Sequence, residues 1–177
     1  MRIVSSVVVL LAGCQLVFPL DEKSTPPTSD ALEDSGVVTC PEFYETGSTG
    51  IYFVESEPTS WPAAKSKCES HGATTHLVVI SDFSEFDVVR GLVGAEGFSI
   101  GLSDRQSPTF VWVTGEPTTF AATPGEEPWA PGEPNNGGAG GTPEDCAVVR
   151  VDGLLNDIVC STFQTGFVCE CDKFAPR

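Results

Sequence analysis

Basic residues are scarce in this chain. Its 177 residues include nine Lys and Arg against 25 Asp and Glu, which gives a formal net charge of −16 at pH 7. A nucleic-acid partner is therefore not expected, because a protein needs clustered basic side chains to neutralise phosphates. An acidic surface has two interpretations: general solubility, or carboxylates that gather around a cation. Only the positions of the acids along the chain can decide between them.

Histidine is also rare, since only His71 and His76 occur. No grouping of a base with a nucleophile is evident, so neither catalysis nor a zinc site is expected. Glu133 and Glu144 could form a carboxylate pair of the kind that glycosidases use, but their surroundings favour calcium. The sequence lacks a heptad or collagen-like repeat, and no oligomerisation element is therefore expected. We predict a binding protein and not an enzyme.

The apolar run near the N-terminus, Ile3 to Ala12, is too short for a transmembrane helix, which needs about 20 residues. Together with the positive start at Met1-Arg2, it is typical of a signal peptide. The run ends in Leu11-Ala12-Gly13-Cys14, which resembles a bacterial lipobox. We therefore expect residues 1–14 to be a lipoprotein-type signal, with Cys14 lipidated as the first residue of the mature chain. An ordinary secretory signal is the alternative.

The cysteine count agrees with this interpretation. The chain has seven cysteines, and lipidation of Cys14 would leave six, an even number that can pair outside the cytoplasm. The lipobox resemblance implies an extracytoplasmic protein of the cell envelope, attached to a membrane only by lipid. The outer membrane is favoured because Gln15 is not Asp, and secretion is the alternative. Residues 15–38 lack an apolar period and predict a disordered spacer. The folded domain should span 39–172, with a tail at 173–177.

Two helices and several short strands are predicted in the folded part. The first helix should start after the capping pair Thr59-Ser60 and end before Gly72. The second should start at Ser81-Asp82, where Glu85 completes a capping-box pattern. Helical spacing predicts two buried faces: Trp61, Ala64 and Cys68, then Phe86, Val89 and Val93. Strand patterns occupy 99–102, 109–113, 146–151 and 166–169. The long segment 115–142 is interpreted as a functional loop.

Oxygen-bearing side chains are concentrated in this loop and shortly after it. Five of them stand out: Glu133, Asn135, Glu144, Asn156 and Asp157. Calcium takes about 6–8 oxygen ligands from carboxylates and carbonyls, and this set supplies three carboxylates and two neutral amide oxygens. Asn and Asp are also common turn residues, so spacing alone leaves ordinary turns as the alternative.

The sequence around these residues resembles the C-type lectin family. The matching segments follow one another from Cys40 to Cys171: Trp61…Cys68, Leu77-Val78-Val79-Ile80, Glu85, Ile100-Gly101-Leu102, Trp112…Gly115, Trp129-Ala130-Pro131-Gly132-Glu133-Pro134-Asn135-Asn136, Glu144-Asp145-Cys146, Asn156-Asp157-Ile158-Val159-Cys160 and Phe167-Val168-Cys169-Glu170. The resemblance implies an α+β domain of the C-type lectin-like fold: two helices packed on small antiparallel sheets, a long calcium-binding loop and disulfide staples. The disulfides it implies are Cys68–Cys169 and Cys146–Cys160. Cys40 and Cys171, near the two ends of the domain, then remain to pair with each other.

The resemblance also implies a function for the five oxygen-bearing residues. They would ligate one calcium ion together: Glu133, Asn135, Glu144, Asn156 and Asp157. All except Asp157 would also contact a sugar, and the Glu133–Pro134 peptide bond would be cis. The Glu-Pro-Asn motif is associated with mannose-, glucose-, fucose- and N-acetylglucosamine-type ligands. We therefore expect a calcium-dependent lectin domain, and the alternative is the same fold acting as an interaction module for protein or ice.

The chain departs from the family pattern at several positions. Leu155 and Ser99 each replace a usual tryptophan, which bears on packing more than on chemistry. A second calcium site would be incomplete, because Asp104 and Asp145 remain but 105–108 contains no carboxylate. Only one ion is therefore expected. The tryptophans are expected in the core, with sugar stacking as an alternative for the last of them: Trp61, Trp112 and Trp129.

Overall fold

The structure, a computed structural model, describes residues 38–94, 97–121 and 127–177. The predicted signal with Cys14, and the predicted spacer up to residue 37, lie outside the described residues. The elements in chain order are β1 (Glu45–Thr46), β2 (Ile51–Glu55), β3 (Thr59–Ser60), α1 (Trp61–Ser70), β4 (Thr75–Leu77), α2 (Phe83–Val93), β5 (Phe98–Ser103), β6 (Val111–Trp112), a 3-10 turn (Ala139–Gly141), β7 (Cys146–Val149), β8 (Leu155–Ile158), β9 (Phe163–Gln164) and β10 (Gly166–Cys171). No helix among the described residues has the length and apolar character needed to cross a membrane.

The first helix forms where the sequence predicts it, but its start is held differently. α1 buries Trp61, Ala64 and Cys68, as expected. Ser60 occupies the N-cap position without a side-chain cap bond, so the predicted hydroxyl cap is wrong. Instead β3 pairs antiparallel with β9, and the Trp61 amide donates to the Cys160 carbonyl at 3.2 Å. Strand pairing and a distant carbonyl therefore satisfy the start of this helix.

The second helix begins with the predicted capping arrangement. The Glu85 amide donates to the Asp82 side chain at 3.0 Å, and the Ser81 amide donates to Glu85 Oε2 at 2.9 Å. The predicted Asp82 cap therefore forms, while Glu85 accepts the amide of Ser81, the residue before the N-cap, so the arrangement is capping-box-like. Phe86 and Val89 on the inner face are fully buried.

Most strands join one mixed sheet, and β3 and β9 form a separate two-stranded antiparallel sheet. The order is β1-β2-β10-β5-β7-β8, with β4 beside β10 and β6 beside β5. Every pair in it is antiparallel except β5 and β10, which run parallel. The expected α+β fold is confirmed, with this parallel pair inside the sheet. β7 ends before the predicted residue 151 because the chain turns there, where the Gly153 amide donates to the Arg150 carbonyl at 2.9 Å.

Three disulfide bonds cross-link the domain, and they join the expected pairs: Cys40–Cys171, Cys68–Cys169 and Cys146–Cys160.

All three tryptophans are buried in the core. The exposed fractions of the Trp61, Trp112 and Trp129 side chains are 3%, 2% and 2%. The indole nitrogen of Trp129 donates to the Ala121 carbonyl at 3.2 Å. The core interpretation of this tryptophan is therefore confirmed, and stacking on a sugar is not available to it.

Ser99, which replaces a tryptophan, lies fully buried in β5, and its hydroxyl has no hydrogen-bond partner within the described part of the chain. An unpaired buried polar group costs about 1–3 kcal/mol. We expect Ser99→Ala to raise the free energy of unfolding by about 1 kcal/mol in a urea titration. Ser103→Ala in the same strand is the matched control, because Ser103 Oγ accepts the Arg105 amide at 3.2 Å; this variant should lose stability. A similar loss in both variants would contradict the prediction.

Candidate functional site

The predicted ligand loop is fixed against the start of β8. The Ala130 amide donates to the Leu155 carbonyl at 2.9 Å, and the Leu155 amide donates to the Pro128 carbonyl at 2.8 Å. Leu155 is fully buried, so its side chain packs in the core while its main chain holds the loop. The Glu133–Pro134 peptide bond is cis, as expected.

Asp157 on β8 is the residue to which the loop is tied. Its exposed fraction is 1%. Oδ1 accepts the Asn135 amide at 3.1 Å, and Oδ2 accepts the Asn136 amide at 2.6 Å. One buried carboxylate therefore holds two consecutive amides of the loop through charge-assisted hydrogen bonds.

A second pair of hydrogen bonds closes the glycine-rich part of the loop. The Gly137 amide donates to Glu144 Oε2 at 2.9 Å, and the Glu144 amide donates to Asn136 Oδ1 at 2.7 Å. Asn136 has a φ of 49°, a conformation that Asn tolerates better than most residues. Sequence reasoning missed Asn136 as a structural residue of the site. Its turn-favouring side chain, directly after the Glu-Pro-Asn motif, was the available signal.

The structure brings four of the five predicted ligands together. The Asn135 side-chain amide donates to Glu133 Oε2, and the Glu133 carboxyl interacts with both Asp157 and Glu144. Asn156 is placed differently: its Nδ2 donates to the Asp157 carbonyl at 2.5 Å. Within the described residues, the Asn156 side chain makes no hydrogen bond to the other four side chains. It lines a separate shallow cavity together with strand residues of the β7–β8 hairpin.

Like charges converge at this site. Burial raises the pKa of the Glu133 carboxyl, and so do the neighbouring carboxylates of Asp157 and Glu144, while Arg150 opposes the shift. Neighbouring negative charges disfavour ionisation of the Glu133 carboxyl, and a bound cation would reverse that effect. The electrostatics of the site therefore suit a cation ligand.

Asp104 adds another oxygen next to this cluster. Its Oδ1 atom is buried and has no hydrogen-bond partner within the described residues. Burial raises the pKa of the Asp104 carboxyl, and the charges of Asp145 and Asp157 add to the effect. An unpaired buried carboxylate oxygen is costly unless a cation or a donor satisfies it. Because the donor set consists of oxygens only, these residues fit calcium better than a softer transition metal.

A cavity of about 480 Å³ lies beside the cluster. Its apolar wall includes Phe110 and Pro134, and its polar wall includes Asn136 and Asp157. Concave sites that combine an apolar wall with a few placed polar groups are typical of small-ligand binding.

A disulfide-linked α+β domain that presents oxygen donors on a long loop beside such a cavity has the architecture of a lectin-type binding domain. The sequence profile of the Lectin C-type domain matches residues 57–171. The chain therefore belongs to the C-type lectin domain family, whose domains typically bind calcium.

Curated relatives support the assignment over most of the folded part. The hepatic lectin of Gallus gallus is 36% identical over 120 residues, which are 67% of this chain and 53% of that protein. The asialoglycoprotein receptor 1 of Rattus norvegicus is 32% identical over 79% of this chain and 48% of its own length. This chain thus spans about half the length of these relatives.

Solved structures show the same fold. The carbohydrate-recognition domain of cow CD23, crystallised with a GlcNAc2Man3 oligosaccharide, aligns with a TM-score of 0.63 and 29% identity, covering 79% of this chain and 99% of that one. A second structure is the carbohydrate-recognition domain of the mouse scavenger receptor C-type lectin. It aligns with a TM-score of 0.62 and 27% identity, over 78% of this chain and all of that one. A calcium-independent type II antifreeze protein aligns with a TM-score of 0.59 and 21% identity, over 75% of this chain and 93% of that one, and this similarity shows the fold alone.

Proposed function

We propose that this domain is a calcium-dependent carbohydrate-binding lectin. The observation that carries the proposal is the convergence of the Glu133, Glu144 and Asp157 carboxylates with Asn135 on one loop and hairpin. The solved neighbours of the domain include carbohydrate-recognition domains, one of them crystallised with a mannose-containing oligosaccharide. Asn156 is the fifth ligand by sequence pattern and would bind the ion through Oδ1, because its Nδ2 donates to the Asp157 carbonyl.

A bound calcium ion would supply coordination positions for two neighbouring sugar hydroxyls. The chain's own residues would select the orientation of those hydroxyls. Glu133 can accept a hydrogen bond from a hydroxyl, and Asn135 can donate one to it; the two side chains already bond to each other, so an acceptor and a donor lie side by side. Glu144 and Asn156 offer the same combination. Asp157 would not contact the sugar, because both of its oxygens hold the loop.

The rival function is an interaction module on the same fold that recognises a protein or an ice surface. The antifreeze neighbour supports that possibility at the level of fold. Retention of all five oxygen donors favours sugar over this alternative, because a surface that binds without calcium does not need converging carboxylates. The Glu-Pro-Asn order supports mannose-, glucose-, fucose- or N-acetylglucosamine-type ligands.

Sugar-column chromatography tests the proposal and its selectivity. Extracellular calcium sites commonly bind at about 10⁻⁴–10⁻³ M, so the wild type should be retained on immobilised mannose in millimolar calcium and released by a chelator. Glu133→Gln combined with Asn135→Asp exchanges the acceptor and donor positions, and it should shift retention from mannose to galactose while calcium still binds. Retention of the wild type in chelator would support the interaction module. An unchanged mannose preference in the calcium-bound double variant would refute the selectivity argument.

We also propose that the protein is anchored to the cell envelope through lipid on Cys14. The three disulfides use all six other cysteines, which supports a separate role for this one. A lipid chain contributes roughly 0.8 kcal/mol per buried CH₂. Expressed in a bacterium with its own leader, the wild type should partition with membranes and incorporate labelled fatty acid, and Cys14→Ser should do neither. Equal release of both forms as soluble protein would indicate an ordinary signal peptide.

A further inference from the structure

A second group of metal-ligating side chains lies away from the lectin loop, where β4 meets the end of β10. His76, Glu170 and Asp172 each offer one ligand atom, and these atoms lie within 4.8 Å of one another. Glu170 is paired directly with His76 in the β4–β10 register, and Asp172 follows immediately after β10. Strand pairing therefore brings His76 next to Glu170 and Asp172, which lie 94 and 96 positions later in the chain.

The His76 ring is oriented for ligation through Nε2. The side chain is fully buried, and Nδ1 lies 2.9 Å from the Leu77 carbonyl oxygen. A carbonyl can only accept, so Nδ1 carries the proton, and in the neutral ring Nε2 has a free lone pair. Metal-binding histidines are commonly fixed by this kind of bond at the other ring nitrogen. Nε2 faces Asp172 Oδ1 at 3.0 Å, so a cation or a second ring proton must lie between the two acceptors.

Both carboxylates keep an oxygen that is not used by the main chain. The Val79 amide donates to Glu170 Oε2 at 3.0 Å, and the Phe174 amide donates to Asp172 Oδ1 at 2.7 Å. Each of these carboxylates is therefore oriented by one amide and still has its second oxygen. Glu170 is only 6% exposed, and a buried carboxylate in this position is costly unless a positive charge accompanies it.

The neighbouring Glu85 does not belong to the group. The Tyr52 hydroxyl donates to Glu85 Oε1 at 2.7 Å, and the Ser81 amide and hydroxyl donate to Oε2 at 2.9 Å and 2.7 Å. Glu85 is also not among the residues whose ligand atoms lie within 4.8 Å of one another. The candidate ligands remain one imidazole nitrogen and two carboxylates.

This donor set suits zinc better than calcium. Zinc accepts imidazole nitrogen and carboxylate oxygen at about 2.0–2.2 Å in tetrahedral sites, which places two ligands roughly 3.3 Å apart. His76 Nε2 and Asp172 Oδ1, the oxygen that also accepts the Phe174 amide, are 3.0 Å apart, a hydrogen-bond distance, so a zinc ion would take the place of the second ring proton between them. Calcium prefers oxygen ligands only. Glu170 and Asp172 also line a cavity of about 390 Å³, from which a water molecule can complete the coordination.

We propose that His76, Glu170 and Asp172 form a zinc-binding site that is separate from the calcium site and independent of the lectin function. The site would join β4 to the chain segment that follows β10, next to the Cys40–Cys171 disulfide. This zinc site was not predicted from the sequence, because His76 lies 94 and 96 residues before Glu170 and Asp172.

Zinc titration of the full oxidised chain, without a polyhistidine tag, tests the site. Millimolar calcium is kept present so that the oxygen-only site cannot take up zinc. We expect one zinc ion to bind per chain by calorimetry. In nuclear magnetic resonance spectra, the imidazole nitrogens of His76 should shift, while those of His71, the second of the two histidines, should not.

The variants separate this site from adventitious binding. Asp172→Asn keeps the acceptor for the Phe174 amide but removes the charge, and zinc affinity should fall at least about tenfold. His71→Gln is the matched control and should keep wild-type affinity. The proposal is overturned if the wild type takes up no zinc, if Asp172→Asn binds zinc as the wild type does, or if His71→Gln abolishes binding. Asp172 is partly exposed, so its variant keeps the test valid even if a variant of the buried His76 fails to fold.

Discussion

Replacing Asp157 with Asn should lower calcium affinity at least about 100-fold, or about 2.8 kcal/mol, and should abolish retention on mannose. The wild-type carboxylate accepts the Asn135 amide on one oxygen and the Asn136 amide on the other. An Asn side chain offers one acceptor and places its NH₂ group against the second amide, where two donors repel. The substitution would therefore remove a charge from the proposed calcium site and also detach the loop that carries two further proposed ligands.

Two measurements separate these effects. Calorimetry with calcium reports the affinity, and hydrogen exchange reports whether the Asn135 and Asn136 amides lose protection. Asp152→Asn is the matched control: it makes the same charge change on the β7–β8 hairpin, where Asp152 is exposed and pairs with Arg150 at 3.1 Å. That variant should bind calcium nearly as the wild type does. Wild-type calcium affinity in Asp157→Asn would contradict the assignment of the site.

Replacing Cys68 and Cys169 together with Ala should lower the free energy of unfolding by about 4–5 kcal/mol. The bond spans 101 residues, but Cys40–Cys171 stays closed in this variant, so the bond that is lost closes a loop of roughly 30 residues in the unfolded chain, which the chain-entropy account equates with about 3.5–4 kcal/mol. Both cysteines are fully buried, so lost packing adds to the effect. We expect the melting temperature to fall by roughly 15 °C.

The short disulfide gives the comparison. Cys146 and Cys160 are 14 residues apart, so their removal should cost less global stability, about 3 kcal/mol. It should, however, reduce calcium affinity more than the Cys68–Cys169 replacement does, because the bond closes the hairpin that carries Asp157. A greater loss of stability from the short bond, measured in chelator, would contradict the entropic explanation.

Local signals predicted the parts of the fold that depend on neighbouring residues. The capping box at Asp82 and Glu85 closes within a single helical turn, so the sequence pattern was sufficient to place α2. The capping pattern failed at Ser60, because the first amide of α1 donates to the carbonyl of Cys160, which lies 100 residues after Ser60 in the chain. Two-residue strands such as β1 and β9 form through pairing and have no periodic signal of their own.

The candidate site could likewise be predicted only in part from the sequence. The Glu-Pro-Asn motif and the Asn-Asp pair supplied the candidate oxygen donors, since their residue types and order are visible in the sequence. The separate hydrogen-bonding roles of these residues could not be predicted from the sequence: Asp157 accepts bonds from loop amides, whereas Asn156 donates to a carbonyl of its own strand. Hydrogen bonds of this kind depend on where side chains point after folding. The pairing of His76 with Asp172 could not be predicted from the sequence for the same reason.

The spacing of the cysteines also sets the order in which the domain can mature during synthesis. The partners of Cys40 and Cys68 are Cys171 and Cys169, at the far end of the domain, whereas Cys146 finds its partner 14 residues later. An emerging chain therefore exposes two unpaired thiols until its last strand arrives, and β10 must then insert parallel to β5 and antiparallel to β2. Such late, non-local closure is slow and favours misfolding. We expect efficient production to require a thiol oxidase and a disulfide isomerase in the compartment that receives the chain.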